Sequence, residues 1–454
     1  MKGYQFEDTQ GTFHLKKAEN ISYLYFPIAG EAGLKSSLTP NLGGDAKIDQ
    51  NTFLLEPVSA ENLVNNRNSR NFWCNVKGIG SWSLTGNAAE ALSKKFTEMQ
   101  DDSEVTAGFM WQKTTRESKK YQLRGEILSF IPVEKNVEVM LVTITNTGRM
   151  AQTVTPTAAI PLYGRSADNI RDHRHVTSLL HRIETTDIGV LVTPTLSFDE
   201  RGHQVNHMTY YCVGWSGNGE KPVDFYPTAE DFVGEGGNFE RPYAIVKNAE
   251  GVKAGTRIEG LEAVGGLHFS EVTLEPEEEC SYLIFTGITE DIQEIRNLSK
   301  TYTTREMVLE ELEKTKAYWQ EKVNVAYHTG DSDFNQFMHW VSFQPILRRI
   351  YGCSFLPHHD YGKGGRGWRD LWQDCLALLI MNPDGVRQML LDNFAGVRVD
   401  GSNATIIGSK QGEFVADRNH ITRVWMDHGV WPMITTKFYI DQTGDLELLE
   451  KEAA

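Results

Sequence analysis

The sequence predicts a multidomain β plus α protein: a large antiparallel β-sandwich, then a helical linker, then the first part of a toroid of paired helices. Three observations carry this. Strand-like stretches bounded by turn signals run to about residue 290. Long amphipathic helical stretches are scarce over that span, and beyond it apolar residues recur at helical spacing. The expected boundaries are 1–290 for the sandwich, 291–325 for the linker and 326–454 for the helical part.

Taken in order, residues 137–146 are rich in β-branched side chains and alternate, and Asn146-Thr147-Gly148 then supplies a turn. Residues 21–27, 209–215 and 281–286 read the same way. Many such strands with turns between them fit a large sandwich. Past residue 290, Thr303-Thr304-Arg305-Glu306 matches a capping box, and Val308, Leu312 and Trp319 follow along one side of a helix ending near Glu321. Gly330-Asp331 opens another helix, with Phe334, Phe337, Met338 and Val341 on its expected apolar face and Pro345 as its kink or end. Asn382-Pro383 is read as a cap before a proline at the first helical position, ahead of Val386, Met389, Leu390 and Phe394, with Gly396 as the stop. Residues 398–424 read as a long irregular loop of the kind that usually carries function. Asp427 is expected to cap a helix bearing Val430, Ile434 and Phe438, which closes at Thr443-Gly444-Asp445, where a further helix begins. These helices are too few to close a ring, so the chain is expected to be a fragment or to need a complement.

Composition narrows the function classes. The chain has 454 residues and a formal net charge of -16; its pI is about 5.3 and its mean hydropathy -0.40. An acidic surface disfavours nucleic acid and anionic membrane as partners, since both need clustered positive charge. No apolar run is long enough to span a bilayer, and residues 1–8 lack a signal-peptide core, so a cytoplasmic location is expected. Five cysteines, Cys74, Cys212, Cys280, Cys353 and Cys375, lie far apart with no Cys-x-x-Cys spacing. That suggests neither a zinc site nor a disulfide framework, and Cys375 falls on an apolar helix face.

Residues 356–374 organise the rest. Four glycines among the six residues from Gly362 to Gly367 cannot form a helix. From Trp368 onward, Leu371, Trp372, Cys375, Leu378 and Leu379 take helical spacing. A backbone-exposing loop thus feeds a helix, and Arg366, Arg369, Asp370, Gln373 and Asp374 crowd the junction beside Trp368 and Trp372. Carboxylate, guanidinium, amide and indole together suit an array of sugar hydroxyls. The plainer reading is that acids in a first helical turn complement the helix dipole and that Arg and Asp pair with each other. A P-loop is a weak match, because no Gly-Lys-Ser/Thr ending is present.

Together these stretches resemble the N-terminal part of family 94 glycoside phosphorylases, the cellobiose phosphorylase-like enzymes. The resemblance rests on residues 365–374, on Met381-Asn382-Pro383, on Met426-Asp427-His428-Gly429-Val430-Trp431-Pro432 and on residues 439–445. Residues 23–27 and 42–49 look closest to the 1,2-β-oligoglucan phosphorylase branch. The family likeness implies a β-sandwich, a helical linker and an (α/α)6 barrel, and inverting phosphorolysis of a β-linked gluco-oligosaccharide. It implies Arg366 and Asp370 as holders of the sugar in the -1 subsite. Of their neighbours Gln373 and Asp374, one is expected to support these residues rather than touch sugar, and Trp368 is a candidate for stacking on the ring or for the core. Orthophosphate is the implied co-substrate, with no metal or organic cofactor, and homodimers are implied as well. The family's general acid lies in a Trp-Asn-Asp-type stretch; no Trp-Asn-Asp occurs here. The expectation is therefore that the acid and the phosphate site lie downstream of Ala454 and that this chain alone does not turn over.

Other polar groups read more simply. His358-His359-Asp360 is expected to be a polar loop wall rather than a metal site, and Asp417-Arg418 either binds substrate or pairs at the surface. His428 is read as structural, or as facing the barrel mouth, and residues 275–279 as a solvated acidic turn. Two rivals stand beside the phosphorylase: an inverting glycoside hydrolase of the same architecture, and a non-catalytic carbohydrate-binding protein.

Overall fold

The computed structural model describes residues 3–21, 24–64, 70–170, 174–199, 202–352, 366–404, 406–407, 414–415 and 427–451. They fall into two compact units, Met1–Glu7 with Thr12–Lys316 and Asp8–Gly11 with Ala317–Ala454.

The first unit is built on an antiparallel sheet of eleven strands. Its centre pairs Val137–Asn146 with Glu279–Thr289, from Val137 opposite Gly287 to Thr145 opposite Glu279. A second sheet of six strands includes Asn71–Val76, Gln152–Leu162, Ala263–His268 and Asp224–Thr228. The layers face each other, with the rings of Phe72 and Tyr282 5.4 Å apart. The strand expected at 137–146 is present over those residues, yet all ten of its positions are buried. Alternation predicts one wet face; here both faces are covered. Val137, Val139 and Leu141 share a cluster with Ile295, Leu298, Val308 and Leu312, so the helices Ile292–Thr301 and Arg305–Glu321 cover one side. On the other side, Glu138 is fully buried and receives two bonds from Arg70, Nε to Oε1 at 2.5 Å and Nη2 to Oε2 at 2.7 Å, plus Ser36 Oγ. A charge so placed is tolerated only because each carboxylate oxygen is met by a donor.

Several element boundaries differ from expectation. Among the described residues, the first strand after residue 21 is Phe26–Ala29. The capping box is shifted: the helix starts at Arg305 and Glu306 bonds Thr304, while Thr303 donates to Met307 Sδ. Thr304, not Thr303, therefore sits next to the first helical residue.

In the second unit, Trp368–Met381 is flanked by three other helices, Ser332–Tyr351, Val386–Phe394 and Val430–Thr443. Asp331 caps the Ser332–Tyr351 helix by accepting Phe334 N–H at 3.1 Å, as the sequence suggested. The expected apolar face is wrong: Phe334, Phe337 and Val341 are exposed, and the buried positions are Gln336, Phe343, Pro345, Ile346, Leu347 and Tyr351. Gln336 is buried because its side chain accepts the Gly11 N–H at 3.0 Å. Pro345 does not end the helix, which continues to Tyr351. Nor does a helix begin at Pro383. Gly385 has φ +79°, a left-handed conformation no helical residue adopts, so the helix starts at Val386. The last long helix closes on Gly444 at φ +72°, followed by a short 3-10 turn over Leu446–Glu450 that Asp445 caps.

Among the described residues, no helix is long and apolar enough to cross a membrane, and no group of three or more His, Cys, Asp or Glu could hold a metal ion. The acidic segment from Glu275 is an exposed turn, as expected.

Candidate functional site

The glycine-rich residues 362–365 lie outside the described residues, which resume at residue 366. Arg366–Gly367 pairs as backbone with Ile406–Ile407, and Gly367 precedes the first helical residue, Trp368. Asp370 is the third residue of that helix and is half-buried. A Cβ on Gly367 would lie 2.5 Å from Asp370 Oδ2. The carboxylate is therefore folded back over the helix start, where orphan N–H groups and the helix dipole favour an anion. Gly367 is glycine because that oxygen occupies the space a side chain would take.

Arg369 reaches the turn that precedes the Val430–Thr443 helix. Its Nη1 lies 3.3 Å from Asp427 Oδ2, which also accepts Trp431 Nε1–H at 3.2 Å. The bond from Trp431, with Arg369 adding, holds the Asp427 carboxyl below its usual range. Asp427 is thus not the side-chain cap expected for this helix. Its backbone carbonyl accepts the Val430 N–H, and Gly429 occupies the cap position. Beside it, burial lowers His428, which feels the charges of Asp427, Arg369 and Asp370. These four side chains form one cluster of two carboxylates, a guanidinium and an imidazole, a set able to bind several hydroxyl groups at once.

The remaining predicted residues separate from this cluster. Trp368 is 1% exposed; its indole donates to the His428 carbonyl at 3.0 Å and its ring meets Trp372 edge-on at 5.6 Å. It ties the helix start to the turn carrying Asp427 and His428. Asp374 is fully buried and bound by Arg348 of the Ser332–Tyr351 helix, Nε lying 2.8 and 3.0 Å from its two oxygens. Gln373 is exposed. The side chain of Arg366, residues 358–360 and residues 417–418 lie outside the described residues. Sequence reasoning missed Arg348 as the partner of Asp374 and Arg369 as the partner of Asp427. The first had no local signal, since a basic residue in a helix's last turn is already favoured by the helix dipole; the second was obscured by reading Asp427 as a cap.

The described residues thus form a two-layer β-sandwich unit and a helical unit with a polar junction at the start of its Trp368–Met381 helix. Residues 58–305 match the family model described as glycosyl hydrolase 94, supersandwich domain, and residues 318–453 match glycosyl hydrolase 94 superfamily, catalytic domain. The chain belongs to glycosyl hydrolase family 94. Over 256 residues it is 25% identical to a cyclic β-(1,2)-glucan synthase of Rhizobium meliloti (strain 1021), covering 53% of this chain and 8% of that protein. Over 236 residues it is 25% identical to a 3-O-β-D-glucopyranosyl-β-D-glucuronide phosphorylase of Paenibacillus borealis, covering 51% of this chain and 28% of that one. A human-microbiome protein described as a kojibiose phosphorylase shares the fold at TM-score 0.54 and 10% identity, over 98% of this chain and 58% of its own. A bacterial glucoamylase does so at TM-score 0.50 and 10% identity, over 96% and 56%. In each comparison the chain spans less than two thirds of the relative's own length.

Proposed function

We propose that this chain supplies the sugar-gripping part of an inverting glycoside phosphorylase that cleaves a β-linked gluco-oligosaccharide, with β-1,2 linkages preferred, and yields a sugar 1-phosphate. The observation that carries the reading is the match to both family 94 domains, with Asp370 aimed over a helix start inside a cluster of hydrogen-bonding side chains. The phosphorylase of Paenibacillus borealis supports phosphate as co-substrate, and the β-(1,2)-glucan synthase supports the linkage.

In such a reaction phosphate attacks the anomeric carbon from one face while a carboxylic acid protonates the leaving oxygen on the other. The proposal assigns Asp370 and Arg366 to the hydroxyls of the transferred sugar. Asp374 and Trp368 support that site from behind, since Arg348 and the core hold them. No Trp-Asn-Asp stretch occurs in the sequence, so sugar binding rather than proton transfer is assigned to these residues. We further propose a cytoplasmic location, no metal or organic cofactor, no nucleic-acid or membrane partner, and pairing as a homodimer.

Calorimetry with a β-1,2-gluco-oligosaccharide tests the site. Binding by the chain and its loss in Asp370→Ala, with unchanged circular dichroism, is the expected result; undiminished binding places the site elsewhere. The fold shared with a glucoamylase favours a hydrolase as the second reading. A longer form carrying this chain decides between them: equal sugar release without phosphate would make it a hydrolase.

A further inference from the structure

Away from the candidate site, two thiols in the sandwich face each other. Leu267 abuts Gly214 and Gly265 abuts Cys212, so Ala263–His268 runs in the same sense as Thr209–Ser216 of the facing layer. Asn71–Val76 and Ala263–His268 are both antiparallel to Gln152–Leu162, and Thr209–Ser216 is antiparallel to Glu279–Thr289. Hence Asn71–Val76 and Glu279–Thr289 oppose each other in direction across the layers. Phe72 meets Tyr282 at 5.4 Å. Because side chains alternate along a strand, two residues onward in one and two back in the other set Cys74 opposite Cys280 on the same inner faces. The Cys280 thiol is accordingly among the groups that influence Cys74.

Both thiols are free; Cys74 is buried and Cys280 half-buried. Cys280 also lines a cleft of about 770 Å³ at one end of the first unit. Five glutamates, Glu278 and Glu279 among them, line that cleft against two cations, Lys221 and Arg305.

We propose that Cys280 and Cys74 form a redox modification site: a disulfide reagent entering the cleft captures Cys280, and Cys74 then completes a bond joining the two sheets. In the first step the Cys280 thiolate attacks one sulfur of the reagent, whose own S–S bond breaks and releases a thiolate. In the second, Cys74 gives up its proton and attacks the Cys280 sulfur of the mixed disulfide, forming the Cys74–Cys280 bond and expelling the second thiolate. The protein loses two electrons and two protons, and the reagent leaves as two thiols. Burial pushes the Cys280 thiol up to about 11, so capture is slow at neutral pH. The acidic cleft selects a cationic alkyl disulfide such as cystamine over a dianionic one such as 3,3'-dithiodipropionate, whose leaving thiol is also an alkyl thiol.

The test incubates the full chain with excess cystamine at pH 8, quenches with acid and maps the products by mass spectrometry. The expected product is lighter than the reduced chain by about 2 Da and yields a cross-linked Cys74–Cys280 peptide. Cys74→Ser stops at a cysteamine adduct on Cys280, and Cys280→Ser leaves Cys74 unmodified. The dithiodipropionate reagent reacts with Cys280 at least about fivefold more slowly. A wild-type chain that halts at the mixed disulfide, or a bridge that maps to another pair, overturns the proposal. If Cys74→Ser does not fold, the wild-type product and Cys280→Ser decide it.

Discussion

Asp374 and Arg348 are bound to each other but differ in access to water. The carboxylate is fully buried, while the arginine side chain is 39% exposed. Removing the arginine strands a charge in the core; removing the aspartate leaves a guanidinium that water can reach. Arg348→Ala is therefore expected to cost about 3–4 kcal/mol and Asp374→Asn about 1–2 kcal/mol. Urea unfolding of the two variants checks this, and the reverse order would contradict the assignment. Gly367→Ala makes a different kind of prediction. Its backbone, φ -65° and ψ 144°, suits alanine, and the new methyl meets only the far end of Asp370. The variant should melt within about 2 °C of the parent, since no buried group is lost, yet bind β-gluco-oligosaccharide at least about tenfold more weakly. Unchanged affinity by calorimetry would show that the Asp370 rotamer does not matter. At this scale the sequence announced residue types and their crowding. It could not announce that Asp374 turns inward, because the partner that decides it sits 26 residues upstream on another helix.

Elements were legible where their signal was local. The strand Val137–Asn146 has β-branched content and an Asx turn in which Asn146 Oδ1 accepts the Gly148 N–H at 2.8 Å, and both are written in adjacent residues. The helix Ser332–Tyr351 was found for the same reason, through its Asp331 cap. Its buried side was misassigned because periodicity reports an apolar stripe but not what covers it. Phe334 is 47% and Phe337 54% exposed, so neither contributes much to the fold. The double variant Phe334→Gln, Phe337→Gln is expected to shift Tm by less than about 2 °C and to raise solubility. Calorimetric melting measures the first and precipitation with ammonium sulfate the second; a loss of 5 °C or more would mean the two rings are covered in solution.

The whole chain carries a formal charge of -16, yet its response to acid should hold a contribution from one buried imidazole. His181 is fully enclosed, its Nε2 accepting from Arg165 Nε at 3.3 Å and its Nδ1 donating to the Leu261 carbonyl at 3.2 Å. Burial, with Arg165 assisting, lowers it to about 3. An unfolded chain takes up that proton near pH 6.5 and the folded one does not. Between pH 6.5 and about 3 the unfolded state thus binds more protons, and stability falls as pH falls. The loss due to His181 from pH 6.5 to pH 5 is about 2 kcal/mol, and His181→Gln should flatten the urea-derived profile by that amount. Equal slopes for both proteins would refute it. The division into sandwich and helices was readable from composition and period alone, whereas the pairing order of eleven strands rests on contacts between residues far apart in sequence.

Pro345 sits inside the Ser332–Tyr351 helix, three residues before Arg348. A proline there offers no N–H to the turn below, so the helix runs through residue 345 one backbone bond short. Replacing the proline with alanine restores that bond and is expected to stiffen the rod from which Arg348 reaches the buried Asp374.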